Sequence, residues 1–456
     1  MNPSTLDALH EIFGADALST EAAECAAYGY DNSRREARPE AVVFPTMHDQ
    51  VCALTKLCHD QRVPLVARGR GTNTTGASVP LAGGIVASFE RMNRILAIDP
   101  GNRLAVVQPG VLNADLQTAL KPHGFFWAPD PTSAPFCSIG GNLACNAGGP
   151  RAVKYGATRD NVLALRAVDG RGAEFRCGKP TTKGATGYDL TRLLIGSEGT
   201  LAIVTEATLK LTPLAGATRT LAATFVDVAC ATAAVTRIMA QPVIPCALEF
   251  MDGEALRLAR NHAGDAIPQA GAMLIIEVDG EAETLDSSSQ AIRKAASVDG
   301  MLDIRIAADG AEAHRLWQAR KALSPALRTI APNKINEDVV VPVSRVPELI
   351  ARLQVISKKH DIPIVTFGHA GNGNIHVNLL YRPERTDQER NAPACLSEVF
   401  DAVLDLEGTL SGEHGIGLLK REFLPRAIDP VALELMHAIK RQFDPAGILN
   451  PGKLLP

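Results

Sequence analysis

The chain is poor in the features that would commit it to several classes of protein. Aromatic residues make up 4% of its 456 residues, too few for the stacked platforms on which bases are held. Basic charge is not in excess: 46 lysines and arginines stand against 50 aspartates and glutamates, a formal net charge of −4. Neither a nucleic acid nor an anionic membrane surface is therefore expected as a partner. The nine cysteines are scattered and form no Cys-x-x-Cys pair, which argues against a disulfide framework or an iron–sulfur cluster and fits reduced thiols in a cytoplasm. Electrons, if the chain handles them, have no built-in wire. No apolar run approaches the roughly 18 residues of a spanning helix, and Met1-Asn2-Pro3-Ser4-Thr5-Leu6-Asp7 has neither the basic nor the apolar region of a signal peptide. The expected location is cytoplasmic, with peripheral membrane attachment as the second expectation.

What is present is ordinary globular material, 46% hydrophobic and 21% charged, in a chain long enough for two or three domains. Residues 1–14 read as a short peripheral helix, with Leu6, Leu9 and Phe13 at helical spacing and Gly14 as the stop. A β-like run at 39–45, a helix opened by Thr46 and Asp49, and an apolar strand at 63–67 make a strand–helix–strand unit. That second strand runs into Arg68-Gly69-Arg70-Gly71-Thr72-Asn73-Thr74-Thr75-Gly76. Glycines let backbone N–H groups approach an anion and threonines add hydroxyl donors, so a pyrophosphate suits the loop. It is neither the dinucleotide fingerprint nor a P-loop, and a polar turn is its bland alternative. Further strands are expected at 84–88, 95–98 and 104–107, then a helix from Asn113 that stops at Gly124.

Two more glycine-rich blocks follow. One is Pro129-Asp130-Pro131-Thr132-Ser133 with Ile139-Gly140-Gly141-Asn142-Leu143-Ala144-Cys145-Asn146-Ala147-Gly148-Gly149; the other is Gly187-Tyr188-Asp189-Leu190 with Gly196-Ser197-Glu198-Gly199-Thr200-Leu201-Ala202-Ile203-Val204-Thr205. Small residues at almost every position from 138 to 149 imply something bulky lying on bare backbone. After Pro213 the chain alternates apolar strands (221–226, 273–278, 303–307) with alanine-rich helices, a separate α+β domain.

The later half carries the chemistry-bearing residues. In the helix 312–323, Arg320 interrupts a stripe formed by Leu316, Leu323 and Leu327. A charge on a core-facing stripe needs an anionic partner, either a fixed carboxylate or that of a ligand. Ser324 before Pro325 serves equally as a cap or a ligand contact. Gly368-His369-Ala370-Gly371-Asn372-Gly373-Asn374-Ile375-His376-Val377-Asn378 sets two histidines at either end of a tight turn between two strands. A hairpin there brings His369 near His376 and puts Asn378 on the face of His376. Two imidazoles do not hold a catalytic metal without a third ligand from elsewhere. Downstream come Ser411-Gly412-Glu413-His414-Gly415-Ile416-Gly417 and Asn450-Pro451-Gly452-Lys453.

Taken together, these blocks resemble the vanillyl-alcohol oxidase flavoprotein family, in its branch of FAD-linked 2-hydroxy-acid dehydrogenases that includes D-lactate dehydrogenase, glycolate oxidase and D-2-hydroxyglutarate dehydrogenase. The resemblance runs from about residue 40 to the end. It implies an α+β chain with a two-part FAD-binding domain (41–215), a substrate or cap domain (216–410), a C-terminal helical segment (411–456) that returns to the flavin through Asn450, and an N-terminal helical segment (1–40). By the resemblance, Arg68, Gly69, Arg70, Gly71, Thr72, Asn73 and Gly76 hold the FAD pyrophosphate together with Pro129, Asp130, Ser133, Gly140, Gly141, Asn142, Asn146, Gly148 and Gly149. Glu198, Gly199, Ile203 and Val204 lie along the rest of the cofactor. The absence of histidine between Val66 and Gly76 means no covalent flavin link through this loop, so FAD is expected to bind non-covalently. His369, His376 and Glu413 are implied as ligands of a divalent metal, zinc first, with manganese or iron fitting the same donors. His414 is implied as the general base, and Arg320, Ser324, Lys334 (or Asn336) and Asn378 as substrate contacts. Two departures from the family pattern are Ala202, where glycine is usual, and Asn372, where aspartate is usual.

The expected activity is oxidation of a D-2-hydroxy acid, D-lactate or D-2-hydroxyglutarate, to the 2-oxo acid. Electrons leave to a separate acceptor such as electron-transferring flavoprotein, a quinone or a cytochrome, and not to NAD. A homodimer is the expected assembly. The competing readings are a glycolate oxidase-type subunit, a metal-dependent hydrolase without flavin, and a flavin-binding subunit with a structural role.

Overall fold

Residues 1–263 and 267–456 are described by a computed structural model of the chain, in which they form two units. The first collects Met1–Gly149, Gly156–Leu214 and Glu413–Pro456; the second collects Pro150–Tyr155 and Ala215–Gly412.

In the first unit, β1 (Leu18–Ser19), β2 (Ala41–Val43), β3 (Leu65–Arg68) and β4 (Ile85–Ser88) form a sheet in the order β1-β2-β4-β3. The expected strand–helix–strand is there, as β2, the helix His48–Gln61 and β3. Its two strands do not pair, because β4 enters between them and runs parallel to both. All four residues of β4 are buried, which suits the centre of a parallel sheet covered on both faces. The helix starts at His48, not at Thr46: the Gln50 side chain accepts hydrogen bonds from the N–H groups of Thr46 and Met47, so the cap works from inside the first turn. The helix expected over residues 1–14 is present but is not peripheral. The helix Pro3–Phe13 buries Leu9 and Phe13 in the core that holds Val42, Leu54 and Leu65, and β1 pairs with β2. Burial of two such side chains contributes about 1.5–3 kcal/mol each.

A second sheet in this unit takes β5 (Ile95–Asp99), β6 (Leu104–Val107), β8 (Val162–Asp169), β9 (Glu174–Gly178) and β10 (Ala202–Lys210) in the antiparallel order β5-β6-β10-β8-β9. Separately, β7 (Phe125–Phe126) pairs with β11 (Thr212–Pro213). The last residues of the chain close the first sheet: Leu65 donates its N–H to the carbonyl of Ile448, and Asn450 donates to that of Leu65.

The second unit is built on seven antiparallel strands, β12 (Ala217–Phe225), β13 (Ala247–Asp252), β14 (Ala272–Gly280), β15 (Met301–Ile306), β16 (Asn333–Val340), β17 (Ile364–His369) and β18 (Asn374–Tyr381), ordered β15-β12-β14-β13-β17-β18-β16. One face packs Met251, Met273, Ile275, Val365 and Phe367 against Leu256 of the helix Gly253–Ala263 and Leu316 of the helix Gly310–Lys321. Side chains alternate between faces, so the parity of that apolar patch fixes which polar residues share it.

Candidate active site

The register of β13, β16, β17 and β18 puts a polar group of residues on the same face as the apolar patch. Phe367 stands opposite His376, Glu249 opposite His369, Asn336 opposite Asn378, and Asp338 opposite His376. The hairpin expected from the glycine-rich turn is β17–β18, with Gly373 in the left-handed region at φ 72°. Its two imidazoles lie edge to face with ring centroids 5.3 Å apart. Asn378 shares their face and is fully buried. Its Nδ2 donates to the carbonyls of Val365 and His376, which leaves Oδ1 as a buried acceptor without a partner among the described residues.

Arg320 resolves the question its sequence position posed: a fixed carboxylate is present. Glu249 is 1% exposed and lies 2.8 Å from Arg320 Nη2 through Oε2 and 2.6 Å from His369 Nδ1 through Oε1. The Arg320 contact has an ion pair's distance without hydrogen-bond alignment, since Oε2 and Arg320 Nε both lack an aligned partner among the described residues. The guanidinium also sits 4.7 Å from the Phe367 ring centroid, a favourable cation–π placement. Burial by itself would raise the Glu249 carboxyl; His369 and Arg320 outweigh it and hold the group below the usual carboxylate range. Lys334 Nζ donates to Ser324 Oγ at 2.9 Å, so these two residues form one polar pair. Asn336 shares their strand face, directly across from Asn378.

The chain reaches the acidic–basic pair through an anchored segment. Asp338, fully buried, accepts from Ser411 Oγ at 3.0 Å and from the Gly412 N–H at 3.0 Å. Glu413 is the next residue, and its carboxylate oxygen and the ring nitrogens of His369 and His376 lie within 4.8 Å of one another. Asn372 is exposed at the tip of the turn, so the charge that the usual aspartate would add there is a solvated one.

In the first unit, the loop after β3 is organised around Asn73. Its Oδ1 accepts from the N–H groups of Thr75 and Ala77, and its Nδ2 donates to the carbonyl of His414 at 2.8 Å. Arg68 donates to the Tyr30 carbonyl at 2.7 Å, and Asn450 donates to the carbonyls of Ala77 and Glu198. Glu198 is buried with φ 54° and accepts from Ile416 N and Gly417 N at 2.6 and 2.9 Å. Burial pushes its carboxyl up to about 7, against those two hydrogen bonds.

The FAD linked oxidases, C-terminal domain, family matches residues 215–454, and the FAD binding domain family matches residues 39–178. This chain belongs to the FAD-linked oxidases. Among relatives of this oxidase, the glycolate oxidase subunit GlcD of Bacillus subtilis (strain 168) is 38% identical over 98% of the chain and 95% of its own length. The D-2-hydroxyglutarate dehydrogenase of Stutzerimonas stutzeri (strain A1501) is 33% identical over 99% of both. The fold is that of vanillyl-alcohol oxidase-type flavoproteins: p-cresol methylhydroxylase superposes with a TM-score of 0.81 over 99% of this chain and 96% of its own, at 17% identity. The oxidase is thus an FAD-dependent oxidoreductase.

Its glycine blocks fit such a cofactor, though not at every glycine. A Cβ on Gly69 would meet Ser138 Oγ at 2.5 Å, one on Gly140 would meet Pro109 at 2.7 Å, and one on Gly149 would meet Asp130 at 2.5 Å. At these positions small size serves the packing of the protein on itself. Gly141 and Gly199 differ, with no atom closer than 3.5 and 3.9 Å to an added Cβ, and the buried Thr74 hydroxyl has no partner among the described residues. Open backbone and an unsatisfied hydroxyl are what a phosphate-bearing group needs. Arg68, Asn73 and Asn450, expected as direct contacts, donate from their side chains to the protein's own carbonyls and so also frame the loops. Ala202 is buried in the core beside the second sheet. Sequence reasoning missed Glu249 altogether. The available signal was a carboxylate inside an otherwise apolar strand, Ala247-Leu248-Glu249-Phe250-Met251, which demands a cationic partner.

Proposed function

We propose that this oxidase converts a D-2-hydroxy acid, with D-lactate and D-2-hydroxyglutarate as the foremost substrates and glycolate as the alternative, to the corresponding 2-oxo acid. The observation that carries the reading is the single sheet face on which the Arg320 guanidinium, the two imidazoles and the free acceptor of Asn378 come together. Arg320 holds the substrate carboxylate through the donors that Glu249 does not take, and the Ser324–Lys334 pair adds a hydroxyl and a cation beside it. Asn378 lines the substrate site on the same face, and His414 takes the proton of the substrate hydroxyl, the imidazole being the side chain suited to proton transfer near neutral pH. FAD, when bound, supplies the acceptor for the hydride. A divalent ion, zinc by preference, supplies Lewis acidity at the hydroxyl, with His369, His376 and Glu413 as its ligands.

The loops around Gly69 to Gly76, Gly140 to Asn142 and Glu198 to Val204 are assigned to FAD, without a covalent link. Electrons then pass to a separate carrier, since the chain has no cysteine cluster. The hydrolase reading loses its ground with the FAD-binding match. The deciding experiment is anaerobic bleaching of the bound flavin across a panel of D- and L-2-hydroxy acids, with and without a chelator. Bleaching by D-2-hydroxy acids that is lost with chelator and returns with zinc supports the reading. Preference for L-acids or indifference to chelation refutes it. His414→Ala should retain flavin and lower the reduction rate by about 10²–10⁴-fold; unchanged kinetics would remove His414 as the base.

A further inference from the structure

We infer that Glu249 is a positioning residue that couples the metal ligand His369 to the carboxylate-binding Arg320, so that the two halves of the substrate site are set by one buried side chain. This rests on the reading of His369 as a metal ligand and Arg320 as a substrate contact. In this reading Glu249 acts through His369 and Arg320 and not on the substrate or the ion directly. Its two oxygens divide the work: Oε1 lies 2.6 Å from His369 Nδ1 and Oε2 lies 2.8 Å from Arg320 Nη2.

Each contact has a chemical consequence. A carboxylate at Nδ1 keeps the proton on that nitrogen, so that Nε2 presents its lone pair to an ion, and it makes that lone pair more basic. The other oxygen holds one arm of the Arg320 fork and turns the guanidinium plane, which is also fixed by the Phe367 ring at 4.7 Å. The Nε–H of Arg320 is left buried and unpartnered among the described residues, a donor for an incoming anion. A rigid strand carries the arrangement: Glu249 is directly across from His369 in the β13–β17 pair and Phe367 is across from Met251. A shorter or neutral residue at 249 cannot serve both partners. Loss of Glu249 therefore weakens metal affinity and carboxylate affinity together, although only one of its partners is a metal ligand.

The test compares the flavin-loaded wild type with Glu249→Gln and Glu249→Asp, using zinc alone and, separately, oxalate as an unreactive anion. Zinc affinity is read by competition with a chromophoric chelator, and oxalate binding by perturbation of the flavin spectrum in metal-free protein. Both variants should bind zinc about 10–100-fold more weakly and oxalate several-fold more weakly, with unchanged flavin content. Wild-type zinc affinity in Glu249→Gln, with oxalate affinity alone reduced, would overturn the coupling and leave Glu249 as a charge partner of Arg320. A wild type that takes up no stoichiometric zinc would overturn the metal reading itself, a result distinct from the first. A measurement on the wild type needs no variant to fold: ¹⁵N-histidine spectra of the zinc-loaded protein should show His369 protonated at Nδ1. A proton on Nε2 would overturn the proposal.

Discussion

Glu198 is the residue whose ionisation is set most plainly by its surroundings. Its carboxyl is buried between the N–H groups of Ile416 and Gly417, and its pKa rises from 4.5 to about 7 on folding because desolvation outweighs those bonds. Between these two values the folded chain holds a proton that the unfolded chain has released. The folded state is then favoured at the acid end, and stability falls as pH rises from about 4.5 to about 7. The displacement corresponds to about 3 kcal/mol, at roughly 1.4 kcal/mol per tenfold change in protonation equilibrium. Urea midpoints of the flavin-loaded protein between pH 5 and 7.5 should therefore show a slope that Glu198→Gln flattens, on top of a constant loss of about 1–3 kcal/mol from the amide group left facing an N–H. Parallel pH curves for the two proteins would show that Glu198 titrates as in the unfolded chain. The same carboxylate fixes the backbone two and three residues after His414, so Glu198→Gln is also expected to slow flavin reduction.

The β17–β18 hairpin carries two of the proposed ligands and depends on one backbone conformation. Gly373 has φ 72°, and a Cβ there would lie 1.9 Å from the carbonyl oxygen of Val341. Neither the left-handed conformation nor the contact with backbone can be relieved locally, so Gly373→Ala costs about 2 kcal/mol or more. For a unit of this size that lowers the melting temperature by about 4–8 °C, and zinc retained after gel filtration should fall as well, because His369 and His376 flank the turn. A melting temperature within about 1 °C of the wild type would refute this account. The hairpin was legible in the sequence because all of its determinants are local: apolar alternation on both sides, glycines and asparagines between them, histidines at the ends. Its neighbours were not. Glu249 lies 120 residues before His369, and Asp338 lies 74 residues before the Gly412 N–H that it accepts. Strand periodicity says which face a side chain takes but not which strand comes alongside, and the positions of both carboxylates follow from pairing.

At the scale of the whole molecule the same limit appears in how each unit is closed. Strands, helices and glycine blocks of residues 41–214 could be read in order, whereas the use of the last forty-four residues in the same unit is a matter of long-range contacts without local sequence signals. Those contacts are specific. The carbonyl of Ile448 accepts from the Leu65 N–H, and the N–H of Asn450 donates to the Leu65 carbonyl. The Asn450 side chain joins the carbonyls of Ala77 and Glu198, Lys440 donates to the carbonyl of Thr200 at 2.6 Å, and Lys453 to that of Val79 at 2.6 Å. Leu449 and Ile448 fill the core between Leu65 and Val168. A chain ending at Leu214 loses these partners at once and exposes the end of β3 from which the glycine loop springs. It is expected to bind no FAD and to show only a broad, non-cooperative unfolding transition. Joining residues 413–456 to it through a flexible linker should restore a cooperative transition and FAD binding, because the first unit as the structure draws it is then complete. Stoichiometric FAD binding by residues 1–214 alone would show that the C-terminal segment is dispensable to the fold of the cofactor domain.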